Sequence, residues 1–299
     1  MKRVVLSVVV IVFLATLVSP ISAHDYRSER KAAKRQADSI KVIRADEEIK
    51  LNSMLRGYLE HQPSFGMYHD NYFITGIPTN RPIDKYSADA KFQISIRQVL
   101  LRNLLPKNNI LAITYTQKSF WDIYRMSSPF ADNNYNPGIS ASRPITRNGE
   151  FLGIASLGFE HESNGRDSIW SRSWNYVALS GSYFFTPNLS MQIKVMPGWT
   201  AAENRDLYNY RGWGLFALNY SAPNERFMMS AVVNPHGCFR AFNTQLELSV
   251  KLWKTANQFL FVQWHQGYGE NLLEYNRYTS MVRVGICIKS KMRSFIPLY

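Results

Sequence analysis

FLGIASLGFEH at residues 151–161 and NYVALSGSYFF at residues 175–185 are two runs that alternate along their length. Successive side chains of a β-strand point to opposite faces. One face therefore carries Phe151, Gly153, Ala155, Leu157, Phe159 and His161 from the first run, and Asn175, Val177, Leu179, Gly181, Tyr183 and Phe185 from the second. The other face carries Ser156, Glu160, Ser180 and Ser182. The polar link ESNGRDSIWSRSW at residues 162–174 reads as the loop that turns one strand back on the other. An imidazole, a hydroxyl (Ser163) and an amide (Asn175) thus stand at the adjoining ends of two strands, on the same side as an apolar band.

Outward from this hairpin the same period recurs. From Phe65 onward the chain breaks into segments of about ten residues with period-two alternation, the pattern of barrel strands. Twelve such segments can be counted, at roughly 66–76, 89–100, 109–122, 137–145, 149–162, 173–186, 189–201, 209–221, 226–235, 241–253, 258–269 and 277–289. Short connections (146–150, 186–188, 222–225, 254–257) alternate with mostly longer ones (77–88, 123–136, 163–172, 202–208, 234–240, 270–276), and 101–108 is the misfit, being longer than a tight turn. Outer-membrane barrels show this asymmetry, with tight periplasmic turns and larger extracellular loops. A soluble sandwich would alternate as well, its apolar face turned inward. The even strand count, the loop asymmetry, the export signal described next and an aromatic terminal residue, Tyr299, favour an all-β, twelve-stranded antiparallel transmembrane β-barrel of the outer membrane.

Lys2 and Arg3 precede an apolar run from Val4 to Val18 and the small residues Ser22-Ala23, which reads as a signal peptide over residues 1–23. After Ala23 no run reaches the roughly 18 apolar residues of a spanning helix, so any membrane span must be built from strands. Residues 24–64 form a charged N-terminal arm, helical or mobile, with the barrel expected over 65–299. The formal charge of +13 is scattered through strands and loops without a recognition helix or stacking motif, which argues against nucleic acid and for anionic lipid headgroups. The 17 Tyr, 17 Phe and 7 Trp suit strands and membrane interfaces, where Trp170, Trp174, Trp199 and Trp213 are expected; Trp174, beside Asn175, is also placed to line the lumen. Cys238, in an outward loop, and Cys287, near the opposite end of the last strand, are not expected to pair.

The hairpin residues have the chemistry of an ester hydrolase. A serine hydroxyl is a weak nucleophile until a base removes its proton, and histidine does this near neutral pH. His161 and Ser163 stand two apart on one face, with Cβ atoms roughly 7 Å apart, within the reach of an imidazole. An acceptor on the other ring nitrogen holds the tautomer, and Asn175 enters from the neighbouring strand to supply it. Glu160 and Glu162 point to the opposite face and have no proton role. His69 with Asp70, His236 and His265 lack partners at metal spacing and are expected in the lumen or loops.

The run HESNGRDSIWSRSWN (161–175) resembles the signature of the outer-membrane phospholipase A family, and YTQKSFWDIYRMSSPFADNNYNP (115–137) is similar to a second block of it. The likeness also takes in Asn71-Tyr72 and Lys91-Phe92-Gln93, and extends over roughly residues 65–290, without the charged arm. It implies a twelve-stranded barrel in the outer membrane of a Gram-negative bacterium, active as a homodimer, that hydrolyses acyl esters of phospholipids and lysophospholipids with calcium, its active site on the outer-leaflet side. By the same resemblance Ser163 is the nucleophile, His161 the base, Asn175 the orienting group and the Gly165 N–H the oxyanion donor. Ca2+ would be bound by the Ser171 hydroxyl and the Arg166 carbonyl, with Ser127 from the other subunit, and Gln117 would lie buried between subunits. Where some members carry an aspartate this chain has Ser168, with Asp167 one position earlier, which leaves a second, monomer-level calcium site without that carboxylate. The competing readings are a catalytically silent barrel or pore and another outer-membrane lipid esterase; a pore has no use for His, Ser and Asn on a lipid-facing wall.

Overall fold

The computed structural model describes residues 23–84, 86–104, 108–237, 239–254 and 257–289. The signal segment expected up to Ala23, Cys238 and Tyr299 lie outside them, Ala23 itself excepted. Helix α1 (Ala23–His61) is followed by strands β1 (Phe65–Met67), β2 (Asn71–Pro78), β3 (Asp89–Arg102), β4 (Ile110–Trp121), β5 (Phe130–Arg147), β6 (Glu150–Ser163), β7 (Ser173–Thr186), β8 (Leu189–Val195) and β9 (Gly198–Thr200). Then come the short helix α2 (Leu207–Arg211) and strands β10 (Gly214–Ser221), β11 (Phe227–His236), β12 (Ala241–Lys251), β13 (Gln258–Gly267) and β14 (Thr279–Ile288).

Strands β2 to β8 and β10 to β14 pair antiparallel with their neighbours, and β14 returns onto β2 with Met281 opposite Pro78 and Ile288 opposite Asn71. That pairing closes a barrel of twelve strands. The two remaining strands are extensions: β1 lies on β3, and β9 continues the ladder on β7 beyond the end of β8. The segment expected as one strand at 66–76 is thus split, because the chain between Met67 and Asn71 turns inward, where Tyr68 is buried against Leu59. Two other expected boundaries also move. β5 begins at Phe130 instead of 137, shortening the preceding loop, and β10 begins at Gly214 instead of 209 because the residues before it form α2. At the β5–β6 turn Asn148 and Gly149 both have positive φ, the two-residue hairpin that Asn-Gly favours.

Burial shows what alternation left open. Lys91, Gln93, Ser95, Arg97, Glu160, Glu162, Lys194, Glu247, Gln263 and Arg283 are buried, whereas Phe73, Ile94, Leu157, Leu179, Leu218, Leu260 and Ile286 are exposed. A sandwich in water would have the reverse. An apolar outside around a polar lumen is the arrangement hydrocarbon demands of a closed barrel. No helix among the described residues is long and apolar enough to span a membrane.

Ion pairs knit the lumen. Arg283 bonds both oxygens of Asp89 at 2.7 Å and Glu270 Oε1 at 2.5 Å, and Lys91 bonds the same Glu270 oxygen at 3.1 Å and Gln263 at 2.9 Å. Burial disfavours the Glu270 carboxylate, but Arg283 and Lys91 outweigh it and hold the group well below the usual range. A polar cavity of about 170 Å³ remains, lined by His69, Lys118, Glu162, Arg211 and His265 among others. At the barrel end away from the residue 164–172 loop, the C-terminal part of α1 packs against the β3–β4 and β5–β6 turns. Glu48 bonds Thr146 and the Gly149 N–H, Asn52 accepts from Asn108, Glu60 accepts from Asn103, and Leu59 packs on Tyr68 and Ile110.

Because Glu270 ionises more readily folded than unfolded, its stabilisation is present above about pH 4.5, the ordinary value, and is lost as pH falls below it. Arg283→Ala takes the guanidinium from Asp89, leaves Glu270 with Lys91, and is expected to destabilise the barrel by about 3 kcal/mol at neutral pH. Urea unfolding in detergent micelles should show this as a lower midpoint, with a shallower acid dependence than the parent.

Candidate active site

The catalytic candidates stand on the outer wall at the ends of β6 and β7. His161 is opposite Asn175 in the ladder, and Ser163 is opposite Ser173. His161 Nδ1 donates to Asn175 Oδ1 at 2.9 Å, which leaves Nε2 free for a hydroxyl. Ser163 lies two residues further along the same face, and among the described residues no bond joins it to the ring. All three are half-buried on a wall whose next outward residues, Phe159, Leu157 and Leu179, are exposed. The site therefore opens toward lipid and away from the lumen.

Behind that wall, two cross-strand pairs set the register. Glu162 faces Trp174, whose Nε1 donates to it at 2.9 Å, and Glu160 faces Tyr176, whose hydroxyl donates to it at 2.6 Å. Arg211 pairs with Glu162 at 3.0 Å and lies over the Trp174 ring at 5.1 Å, while Lys194 pairs with Glu160 at 3.2 Å. A strand that slipped by two residues would lose this pair of cross-strand bonds and leave the buried carboxylates with fewer hydrogen-bond donors. The glutamates flanking His161 thus point away from it, as the alternation required, and act on its position through the backbone. Trp174, one of four tryptophans expected at an interface, is fully buried in this layer, whereas Trp170, Trp199 and Trp213 are exposed.

The loop after β6 is organised by Asn164, which alternation passes over because it lies beyond the strand. Its Oδ1 accepts from the Arg172 N–H at 2.9 Å and its Nδ2 donates to the Trp170 carbonyl at 2.9 Å, so the side chain spans the loop like a rung. Gly165 sits within this rung at φ +67°, and a Cβ there would approach Tyr135 Cε2 to 2.8 Å. Tyr135 pairs with Ser163 across β5 and β6, and Asn136 donates to the His161 carbonyl at 2.9 Å. Neither was legible as part of a site, since β5 reaches them only through sheet register.

The metal candidates occupy two loops of the same rim. Ser171 and Arg166 lie between β6 and β7, with the Arg166 side chain turned onto the Ala131 carbonyl at 2.7 Å. Ser127, exposed at φ +62°, lies between β4 and β5. Hydroxyl and carbonyl oxygens suit a hard cation, and no three His, Cys, Asp or Glu residues cluster among the described residues to offer an acidic cage. The donors fit calcium in kind. Ser168, beside Asp167, opens the 3₁₀ turn 168–170 at φ +51°. Gln117 stands on the outer face of β4, its amide engaged by Tyr115 at 3.1 Å and Ser119 at 3.0 Å, and Ser119 donates in turn to Asn133 at 2.7 Å. His69 and His265 line the lumen cavity, and His236 bonds the Asn209 carbonyl.

Gly165→Ala introduces about 1–2 kcal/mol of left-handed strain and a clash with Tyr135. Amide hydrogen exchange over residues 164–172 is expected to quicken accordingly. Adding Tyr135→Ala should recover only the steric part.

Comparison with known proteins gives the same fold and a family of phospholipases. The model of the Phospholipase A1 family matches residues 53–288. The phospholipase A1 of Salmonella typhimurium is 28% identical over 279 residues, covering 86% of this chain and 93% of its own. That of Escherichia coli K12 is 30% identical over 210 residues, covering 67% and 69%. Among solved structures, outer membrane phospholipase A from Escherichia coli superposes with TM-score 0.68 at 26% identity over 77% of this chain and all of that one. The Salmonella typhi outer membrane phospholipase dimer with bound calcium superposes with TM-score 0.69 at 25% identity over 79% and 97%. A closed twelve-stranded barrel with an apolar outer wall, matched over most of its length to these enzymes, places the chain in the Phospholipase A1 family as an outer-membrane β-barrel phospholipase.

Proposed function

We propose that this phospholipase is calcium-dependent, works as a homodimer, and cleaves acyl esters of phospholipids and lysophospholipids by a Ser-His-Asn mechanism. The observation that carries this reading is the 2.9 Å bond from His161 Nδ1 to Asn175 Oδ1 on the lipid-facing wall, with Ser163 beyond it on the same face. A lipid held in the membrane reaches that wall without leaving the bilayer. A pore has no use for such groups there. Because the longer connections gather at the site end, that end is read as the outer one.

In the proposed sequence the Ser163 hydroxyl oxygen attacks the ester carbonyl carbon as its proton passes to His161 Nε2. Asn175 Oδ1 accepts from Nδ1–H throughout and keeps the ring in plane, though an amide stabilises the imidazolium less than a carboxylate does. The oxyanion is assigned to the Gly165 N–H, two residues beyond Ser163 in an αL turn. His161 then returns its proton to the leaving alcohol oxygen. Water, deprotonated by the same ring, attacks the acyl carbon, and the ring passes that proton to Ser163 Oγ as the C–Oγ bond breaks and the fatty acid leaves. Calcium, bound by the Ser171 hydroxyl and the Arg166 carbonyl with Ser127 of a second copy, would add electrostatic stabilisation of the oxyanion. The Salmonella typhi relative, crystallised as a dimer with calcium, supports this part of the reading. Donors without charge on two separate loops make a weak site within one chain, so metal and partner would be needed together. Gln117, outward on β4, is assigned to the twofold contact.

Ser163→Ala is expected to abolish fatty-acid release from phosphatidylethanolamine micelles while the barrel still migrates as a folded, heat-modifiable species; retained release would remove Ser163 from the mechanism. The shared metal site calls for a mixing experiment. Ser127→Ala and Ser171→Ala, each expected to lose at least about tenfold in calcium-dependent rate, should regain activity when refolded together, because half of the sites in heterodimers are then intact. Equal rates in mixed and unmixed preparations would argue for a site within one chain.

A further inference from the structure

Helix α1 extends well past the barrel. Its barrel contacts run from Glu47 to Glu60, and every described side chain from Arg27 to Asp46 is exposed. The contact stripe is Glu48, Leu51, Leu55 and Leu59, set at the alternating steps of three and four that keep residues on one helical face. Continued toward the N-terminus, that stripe reads Arg44, Lys41, Ala37, Lys34, Arg30 and Arg27. Glu29 and Asp38 flank it about a quarter turn to either side, Glu47 meets the barrel turn at Gly149, and Asp46 projects from the far side of the helix.

The partners of Glu48, Asn52 and Glu60 are all turn or strand-end residues at one barrel end, so the helix axis lies across that end and its contact face looks toward the membrane plane. The exit point is the β5–β6 turn. Beyond it the same face no longer meets protein, and over about 26 Å it carries five cations. What borders a barrel wall at that level is the headgroup layer of the adjoining leaflet. We propose that residues 27–44 of α1 form a docking face for anionic phospholipid headgroups, seating the helix on the leaflet at the barrel end opposite the active site. The charge fits phosphate, and Ala33 and Ala37 let the backbone approach the surface. The inference needs the barrel to lie in a membrane; it does not need the hydrolytic mechanism.

The test uses the full chain carrying Ser163→Ala, so that the bilayer is not consumed, and Cys238→Ser, so that, with Cys287 buried and the folded barrel labelled, one added cysteine takes the label. A nitrobenzoxadiazole probe is placed at Ala37→Cys on the stripe or at Ser39→Cys on the far side, and the barrel is reconstituted into phosphatidylethanolamine bilayers containing phosphatidylglycerol. Spin-labelled lipid is expected to quench the residue 37 probe at least about fivefold more than the residue 39 probe. That difference should vanish in pure phosphatidylcholine, at about 1 M salt where screening acts within about 3 Å, or with Arg30→Gln, Lys34→Gln and Lys41→Gln combined. Equal quenching at both positions, or quenching indifferent to lipid charge and salt, would overturn the proposal. So would energy transfer between residue 37 probes on separate copies without lipid quenching, which assigns the face to a second copy. Hydrolysis by the unlabelled parent, measured separately, tells failure of this proposal from failure of the catalytic reading.

Discussion

The return of β14 onto β2 is the contact on which the other features rest. Before it forms, the sheet has two open edges whose amides and carbonyls hydrocarbon cannot satisfy; once it forms, no edge faces lipid. Closure also separates the two faces of every strand into an inside and an outside. Carboxylates and cations then have only the lumen to occupy, where Asp89, Lys91, Glu270 and Arg283 neutralise one another, and the apolar set is left to the lipid.

That separation explains a catalytic group on the outside of a protein. A barrel filled with side chains has no room for a substrate with two acyl chains, but its outer wall is already in contact with one. The difficulty passes to rigidity, since a wall residue has no pocket to hold it. The chain meets this from behind: Glu160 with Tyr176 and Lys194, and Glu162 with Trp174 and Arg211, hold the lumenal side of the β6–β7 pair so that His161 and Asn175 meet on the other side. Buried charge that contributes little net stability sets a register here.

The hairpin, the strand rhythm and the shared face of His161, Ser163 and Asn175 were legible because period two is a local property of the chain. Tyr135 and Asn136 were not, because they reach the site only across the β5–β6 register. Asn164 was hidden in a loop whose hydrogen bonds close only when both strands are in place. The start of β5 at Phe130 was missed since Asp132 and Asn134 read as loop residues, yet inside a polar lumen they bond Leu273 and Leu272 backbone groups and belong to a strand. The arm at 24–64 was left between helix and coil, and its 39-residue helix is held at its C-terminal part by the turns it touches.

What the amino-acid order determined by itself was which residues share a face, since alternation follows from the geometry of an extended chain. It could not say whether that face looks inward or outward, because a period of two is unchanged when the sheet is turned over. Nor could it say that Asn175, and not Ser173 or Val177, stands opposite His161, because a long loop allows any even offset. Both were decided by tertiary structure: the first by closing the sheet around its charges, the second by the buried Glu160–Tyr176 and Glu162–Trp174 bonds, which only one offset satisfies.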